Sequence, residues 1–159
     1  MSSTRNEAAD AATALVLEIF RSAGALLAAG DRLVGDLGLT SARWQVLGAV
    51  AIAAQPLPVA RIARDMGMTR QGVQRTVNEL ATDGLVTFAD NPHHRRARLV
   101  LLTPAGRDAY AAAAARQAPW AAALARDLDP AALEAARALV RTIGERACEL
   151  PGGDHDADR

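Results

Sequence analysis

Residues 61–86, RIARDMGMTRQGVQRTVNELATDGLV, decide the fold. Val59 to Met66 reads as a short amphipathic helix that turns Ile62, Ala63 and Met66 inward. Gly67 then suits a tight turn, because glycine takes positive φ without steric cost. Thr69 is an N-cap for a second helix of roughly four turns that ends at Gly84. Val73, Val77 and Leu80 form its inward stripe, with Ala81 alongside, and Ala63, Gly67 and Val73 let the two helices cross closely. With that stripe inward, Arg70, Gln71, Gln74, Arg75 and Asn78 face outward. Glutamine pairs two-pronged with adenine and arginine with guanine at major-groove edges. A recognition helix carries such residues in its N-terminal half. Thr69 and the first-turn N–H groups can take a phosphate, aided by the helix dipole. Gly72 costs roughly 1 kcal/mol of helix stability relative to alanine and leaves room for close approach to a duplex. The competing reading is a merely solvated Arg/Gln face.

C-terminal to this unit the period changes. Leu85–Ala89 and Arg98–Leu102 are short β-prone runs around the polar, basic tip Asp90–Ala97, which makes a β-hairpin. Helix, glycine turn, helix and basic hairpin together are a winged helix-turn-helix. Arg95 and Arg96 at the tip, beside His94, suit the minor groove or flanking phosphates. Thr103-Pro104 opens a further helix by the cap-then-proline rule, running through Ala111–Ala115 until Pro119 kinks or breaks it. N-terminal to the unit, Thr40 or Ser41 caps a helix through Ala54, with Trp44, Leu47, Val50 and Ala51 on one face. Pro56 and Pro58 end it, and Trp44 reads as core rather than as the wall of a binding pocket.

Both ends of the chain carry apolar seams. Residues 7–37 form a long helix on which Val16, Phe20, Ala23, Leu27, Gly30, Val34 and Leu37 recur at alternating spacings of four and three. After Asp129 and Pro130, a cap and a first-turn proline, come Leu133, Ala136, Val140, Ile143, Ala147 and Leu150. The seams either pack on the same chain or, as the reading preferred here, join two chains, with Val16, Phe20, Leu27, Leu133, Val140 and Ile143 as dimerisation residues. The expected organisation is mainly α with a small β-hairpin wing. It places an arm helix at 7–37, a winged helix-turn-helix at 39–103, helical arms at 104–150 and a disordered tail at 151–159.

Composition narrows the function. The 159 residues include 38 Ala and five aromatic side chains, so the core is aliphatic and helix-prone. All 18 basic residues are Arg. Without Lys there is neither a Walker-type phosphate loop nor a Schiff-base mechanism. Three His and one Cys without a phosphate loop or nucleophile elbow assemble no nucleophile with its base, so an enzyme is not expected. His93 and His94 are adjacent and cannot easily face one ion, so no metal or other cofactor is expected. Cys148 reads as a packing or surface thiol rather than a redox sensor. No stretch reaches the roughly 18 apolar residues of a membrane helix, Glu18 interrupting the first candidate, and no secretory signal is visible. A cytoplasmic protein without membrane contact follows. The zero net charge hides an asymmetry: residues 61–107 carry eight Arg against four acids, a basic middle between acidic flanks. That points to a polyanion such as double-stranded DNA.

Three pieces carry a family resemblance: GLTSARWQVL from Gly38, the stretch from Arg61 quoted above, and DNPHHRRARLVLLTPAG from Asp90 to Gly106. Residues 39–106 resemble the MarR family of bacterial transcriptional regulators. In that family the wing usually carries Asp-Arg-Arg before its second strand, and Leu-Thr-x-x-Gly opens the next helix. Arg95-Arg96 and Leu102-Thr103-Pro104-Ala105-Gly106 match, while His94 stands where the family has an Asp that orients a wing Arg. The region of Trp120 and the terminal helices look like the family's dimerisation arms. The resemblance implies a homodimer whose recognition helices lie one DNA turn apart on a pseudo-palindromic operator. It also implies a repressor of a nearby operon, released by a small, often aromatic or anionic, effector whose binding residues the sequence leaves unknown. A winged helix used only as a protein-interaction module is the alternative, and the outward Arg and Gln argue against it.

Overall fold

The arm helix α1 (Ser2–Val34) runs into a 3-10 turn at Gly35–Leu37, and Gly38 at φ 70° redirects the chain. There follow α2 (Ser41–Ile52), β1 (Leu57–Pro58), α3 (Val59–Met66), α4 (Arg70–Thr82), β2 (Val86–Ala89), β3 (Leu99–Leu102), α5 (Pro104–Leu124) and α6 (Pro130–Glu149). This computed structural model describes residues 2–92, 94 and 96–150, so the expectation for the tail at 151–159 lies outside the described residues. The fold is mainly helical with one small antiparallel sheet, as the sequence implied.

Caps set several boundaries. The Thr40 hydroxyl accepts from the Arg43 N–H, that of Thr69 from Gly72 and that of Thr103 from Gly106. The Asp129 carboxylate accepts from Ala131 and Ala132 at the start of α6. Gly67 sits at φ 63° between α3 and α4, supplying the turn that its lack of Cβ permits.

The fully buried set is aliphatic. Val34 from α1, Val46 and Leu47 from α2, Ile62 from α3, Val73, Val77 and Leu80 from α4, and Val100 from β3 meet in one cluster. Val46 is a correction to the sequence reading, which put Leu47 on the inward face without it. Because α2 is covered by α1, α3, α4 and α5, its buried arc is wider than a single stripe.

Other expectations shift. The sheet has a third strand, ordered β1-β3-β2, with Leu57 opposite Val100 and Val86 opposite Leu102. Only two residues long and containing Pro58, β1 has no periodicity to announce it; prolines at such an edge do not disturb the central strand. α5 does not break at Pro119 but continues to Leu124. The proline removes one hydrogen bond, and the carbonyl of exposed Ala115 that loses its donor can turn to water.

Residues 7–37 are, by length and composition, apolar enough to cross a bilayer, which corrects the reading that no stretch comes near. In this fold the helix is an arm stitched to the rest of the chain at its C-terminal end. Gly30 is buried where α1 crosses α2, and a Cβ there would lie 2.4 Å from the Ser41 hydroxyl oxygen. That hydroxyl donates to the Leu27 carbonyl at 2.7 Å, and the Ser41 N–H donates to the Asp31 carboxylate at 2.6 Å. Arg116 of α5 donates to the Leu33 carbonyl at 3.2 Å and to the Asp36 carboxylate. That guanidinium holds the Asp36 carboxyl below its ordinary value.

Candidate nucleic-acid interface

The positions of the outward side chains follow from which face α4 buries. Val73, Thr76, Val77 and Leu80 pack inward, and Thr76 donates its hydroxyl to the Gly72 carbonyl at 3.2 Å. Arg70, Gln71 and Arg75 are therefore exposed, and Gln74 is half-buried. The Gln74 amide donates to the Asn78 side chain at 2.9 Å, and Arg75 donates to Glu79 at 3.1 Å. Arg75 is 84 % exposed, so its ion pair is weak and readily exchanged. The Thr69 hydroxyl is turned onto its own helix, and a Cβ at Gly72 would lie 3.0 Å from it. Gly72 thus keeps the cap uncrowded.

The wing stands beside α4. At its tip Asn91 donates its amide to the Ala97 carbonyl at 3.0 Å, and the backbone turns through hydrogen bonds between His94 and Asn91 and between Ala97 and His94. His94 and Arg96 are exposed, whereas Arg95 and His93 lie outside the described residues. Arg98 emerges from the start of β3 with its guanidinium 4.9 Å from the centroid of the Phe88 ring, donating to the Phe88 carbonyl at 3.3 Å. A groove of about 290 Å³ separates wing from helix, lined by Arg70, Gln74 and Asn78 on one side and Phe88, Arg96 and Arg98 on the other. The structure thus brings Arg70, Gln74 and Arg96 to one groove and adds Arg98, which the sequence reading counted as charge but did not single out. Its signal was available in the alternation along the second strand, where Arg98 and Val100 share one face and Phe88 pairs with Val100.

The arms are apolar and uncovered. α6 buries none of its residues. Phe20 is 70 % exposed, Leu27, Leu133 and Val140 are between 42 % and 46 % exposed, and Val16 and Ile143 are half-buried. The seam of α1 divides: Gly30 and Val34 are buried within the chain, while Phe20 and Leu27 point away from it. Cys148, on α6, is exposed.

Between arm and winged unit lies a cavity of about 640 Å³ bounded by α1, α2, α3 and α5. Trp44, expected as core, is half-buried and lines it together with Tyr110 and Trp120. Met66, at the end of α3 and one residue before the turn into α4, lines its floor.

Residues 37–97 match the family model described as the MarR family. An uncharacterized protein of Mycobacterium tuberculosis is 41 % identical over 129 residues, covering 81 % of this chain and 89 % of the relative. The chain belongs to the MarR family. MarR proteins are DNA-binding transcription regulators rather than enzymes, and the helix-turn-helix and wing described above are the MarR winged-helix fold. A relative named transcriptional activatory protein BadR, of Rhodopseudomonas palustris, is 32 % identical over 111 residues, covering 66 % of this chain and 63 % of its own length. Among solved structures, CouR from Rhodococcus jostii RHA1 bound to p-coumaroyl-CoA superposes with a TM-score of 0.70 at 25 % identity, covering 82 % of this chain and 91 % of CouR.

Proposed function

We propose that the protein is a cytoplasmic bacterial homodimer that reads a pseudo-palindromic operator in double-stranded DNA and represses adjacent genes until a small effector binds. The observation that carries this reading is the groove in which Arg70, Gln74 and Asn78 of α4 face Arg96 and Arg98 of the wing. A helix presenting Arg and Gln, with cations of the wing beside it, fits bases read in the major groove and a backbone held alongside. In this reading Arg70, Gln71, Gln74 and Arg75 meet base edges, and the first turn after Thr69 meets a phosphate. His94, Arg95 and Arg96 track the neighbouring minor groove.

The uncovered faces of α1 and α6 support the dimer, with Val16, Phe20, Leu27, Leu133, Val140 and Ile143 in the interface. A patch of this kind on a single chain marks an association surface. Release requires an effector that prefers a dimer with mis-spaced α4 helices. The cavity touching both the arm and the end of α3 is suitably placed, and CouR, whose structure holds p-coumaroyl-CoA, is a ligand-binding relative in fold.

The deciding experiment selects purified protein on fragments of its source genome at physiological salt and sequences the bound DNA. A two-fold symmetric motif upstream of a gene is expected, together with higher expression from that promoter when the regulator is deleted. Lower expression on deletion would make the protein an activator, as the name of BadR says of that relative. Recovery without a motif, lost as salt rises, would leave only non-specific attraction and bring forward a protein-interaction role.

A further inference from the structure

The cavity between arm and winged unit has a chemistry more definite than its position. We propose that it takes an uncharged, ring-bearing molecule and discriminates against carboxylates; the inference rests on the effector-released reading and names the class of effector.

Aromatic side chains are scarce in this chain, and their distribution is uneven. Both tryptophans and the single tyrosine line this one cavity, brought together from the first turn of α2 and two places on α5. None of the three is fully buried. The fully buried core is aliphatic; Trp44 and Tyr110 pack on its edge with part of each ring left open, and Trp120 stands outside it. Gly48 lets the Tyr110 ring come up against α2, a Cβ there lying 3.3 Å from the ring edge. Rings left partly open around a space of about 640 Å³ suit a flat ligand of ordinary small-molecule size.

The charges decide its class. Among the described residues no Arg lines the cavity, and the chain has no Lys to do so. The lining contains a single carboxylate, Asp65, and both its oxygens accept from the Arg61 Nε, at 2.8 and 2.9 Å. An anionic ligand would leave water for a mostly apolar wall and find no counter-ion there, and a cationic one would find a single carboxylate that Arg61 already shares and that solvent reaches. The polar groups that remain are neutral: the amides of Gln45 and Gln117, the tyrosine hydroxyl and the indole N–H groups, with the Ser41 hydroxyl already donating to Leu27. These match a carbonyl, amide, ether or phenol on a ring system.

Isothermal titration calorimetry on the full chain, without DNA, tests this with three probes of one shape: 2-naphthamide, 2-naphthoate and 2-naphthylmethylammonium. The amide is expected to bind at least about tenfold more tightly than either ion, and Trp120→Ala to weaken it. Gln45→Arg, at an exposed position of the wall, supplies the missing cation and should tighten the carboxylate about tenfold with little change for the amide. Naphthoate binding as well as the amide, the ammonium binding best, or no binding of the amide at millimolar concentration would each overturn the assignment. Operator release is measured separately by anisotropy. An amide that binds without releasing DNA would remove the effector-released reading and leave the ligand class standing.

Discussion

Gly106 lies against the Leu85 carbonyl so closely that a Cβ on it would stand 1.9 Å from the carbonyl oxygen. At this junction α5 leaves the wing: the Thr103 N–H donates to the same carbonyl at 3.1 Å, and the Thr103 hydroxyl donates to the Gly84 carbonyl at 2.7 Å. The Gly of the Leu-Thr-x-x-Gly pattern is therefore a spacing residue between the end of α4 and the start of α5. Gly106→Ala must push backbone against backbone, which typically costs about 1–3 kcal/mol. Chemical denaturation should show that loss, whereas Gly24→Ala, with open space around it, should leave stability equal or slightly raised. Equal behaviour of the two variants would contradict the close contact.

Arg75 is 84 % exposed and is paired with Glu79. If it reads a base, Arg75→Ala weakens operator binding by about 1–3 kcal/mol and relaxes preference at one base pair. An equal loss on scrambled DNA would show that it meets only the backbone.

Arg98 is held over Phe88 and lines the groove. As a phosphate contact it should weaken binding uniformly across sequences when changed to Ala, and reduce the slope of log K against log salt by about one. An unchanged slope would confine Arg98 to its stacking on Phe88.

Val140 and Ile143 lie on the uncovered face of α6. Replacing both by Glu puts charges into the proposed interface, and sedimentation should then find monomers at concentrations where the wild type is dimeric. Circular dichroism should stay unchanged, since neither side chain belongs to the buried core. A full-strength dimer in the double variant would move the interface elsewhere.

Asp36 predicts an acid dependence. Its carboxyl is held below its ordinary value of 3.8, chiefly by the hydrogen bond from Arg116. A carboxyl depressed in the folded state contributes stability above the unfolded value, and loses it as pH falls through the lower folded value. Both side chains are substantially exposed, so the effect is small. Asp36→Asn should lower stability near neutrality and flatten its decline between about pH 5 and 2. A decline as steep as that of the wild type would show that other carboxylates dominate it.

The sequence by itself determined what depends on neighbours along the chain. The caps at Thr69, Thr103 and Asp129, the turn at Gly67 and the inward stripe Val73, Val77, Leu80 are local, because a cap or a 3.6-residue period needs only a few adjacent residues. The outward face of α4 follows from that stripe.

Tertiary structure decided what depends on residues distant in sequence. Two residues at Leu57–Pro58 become a strand only because β3 offers them an edge, forty residues on. Val46 is buried because four helices surround α2, and Gly30 leaves the α1 seam because Ser41 meets it. Arg98 joins the groove through Phe88, and Trp44, Tyr110 and Trp120 share a cavity because α2 and α5 cross. The physical reason is the same in each case: periodicity reports one face of one element, whereas a groove or cavity is made by two elements whose crossing is set by packing.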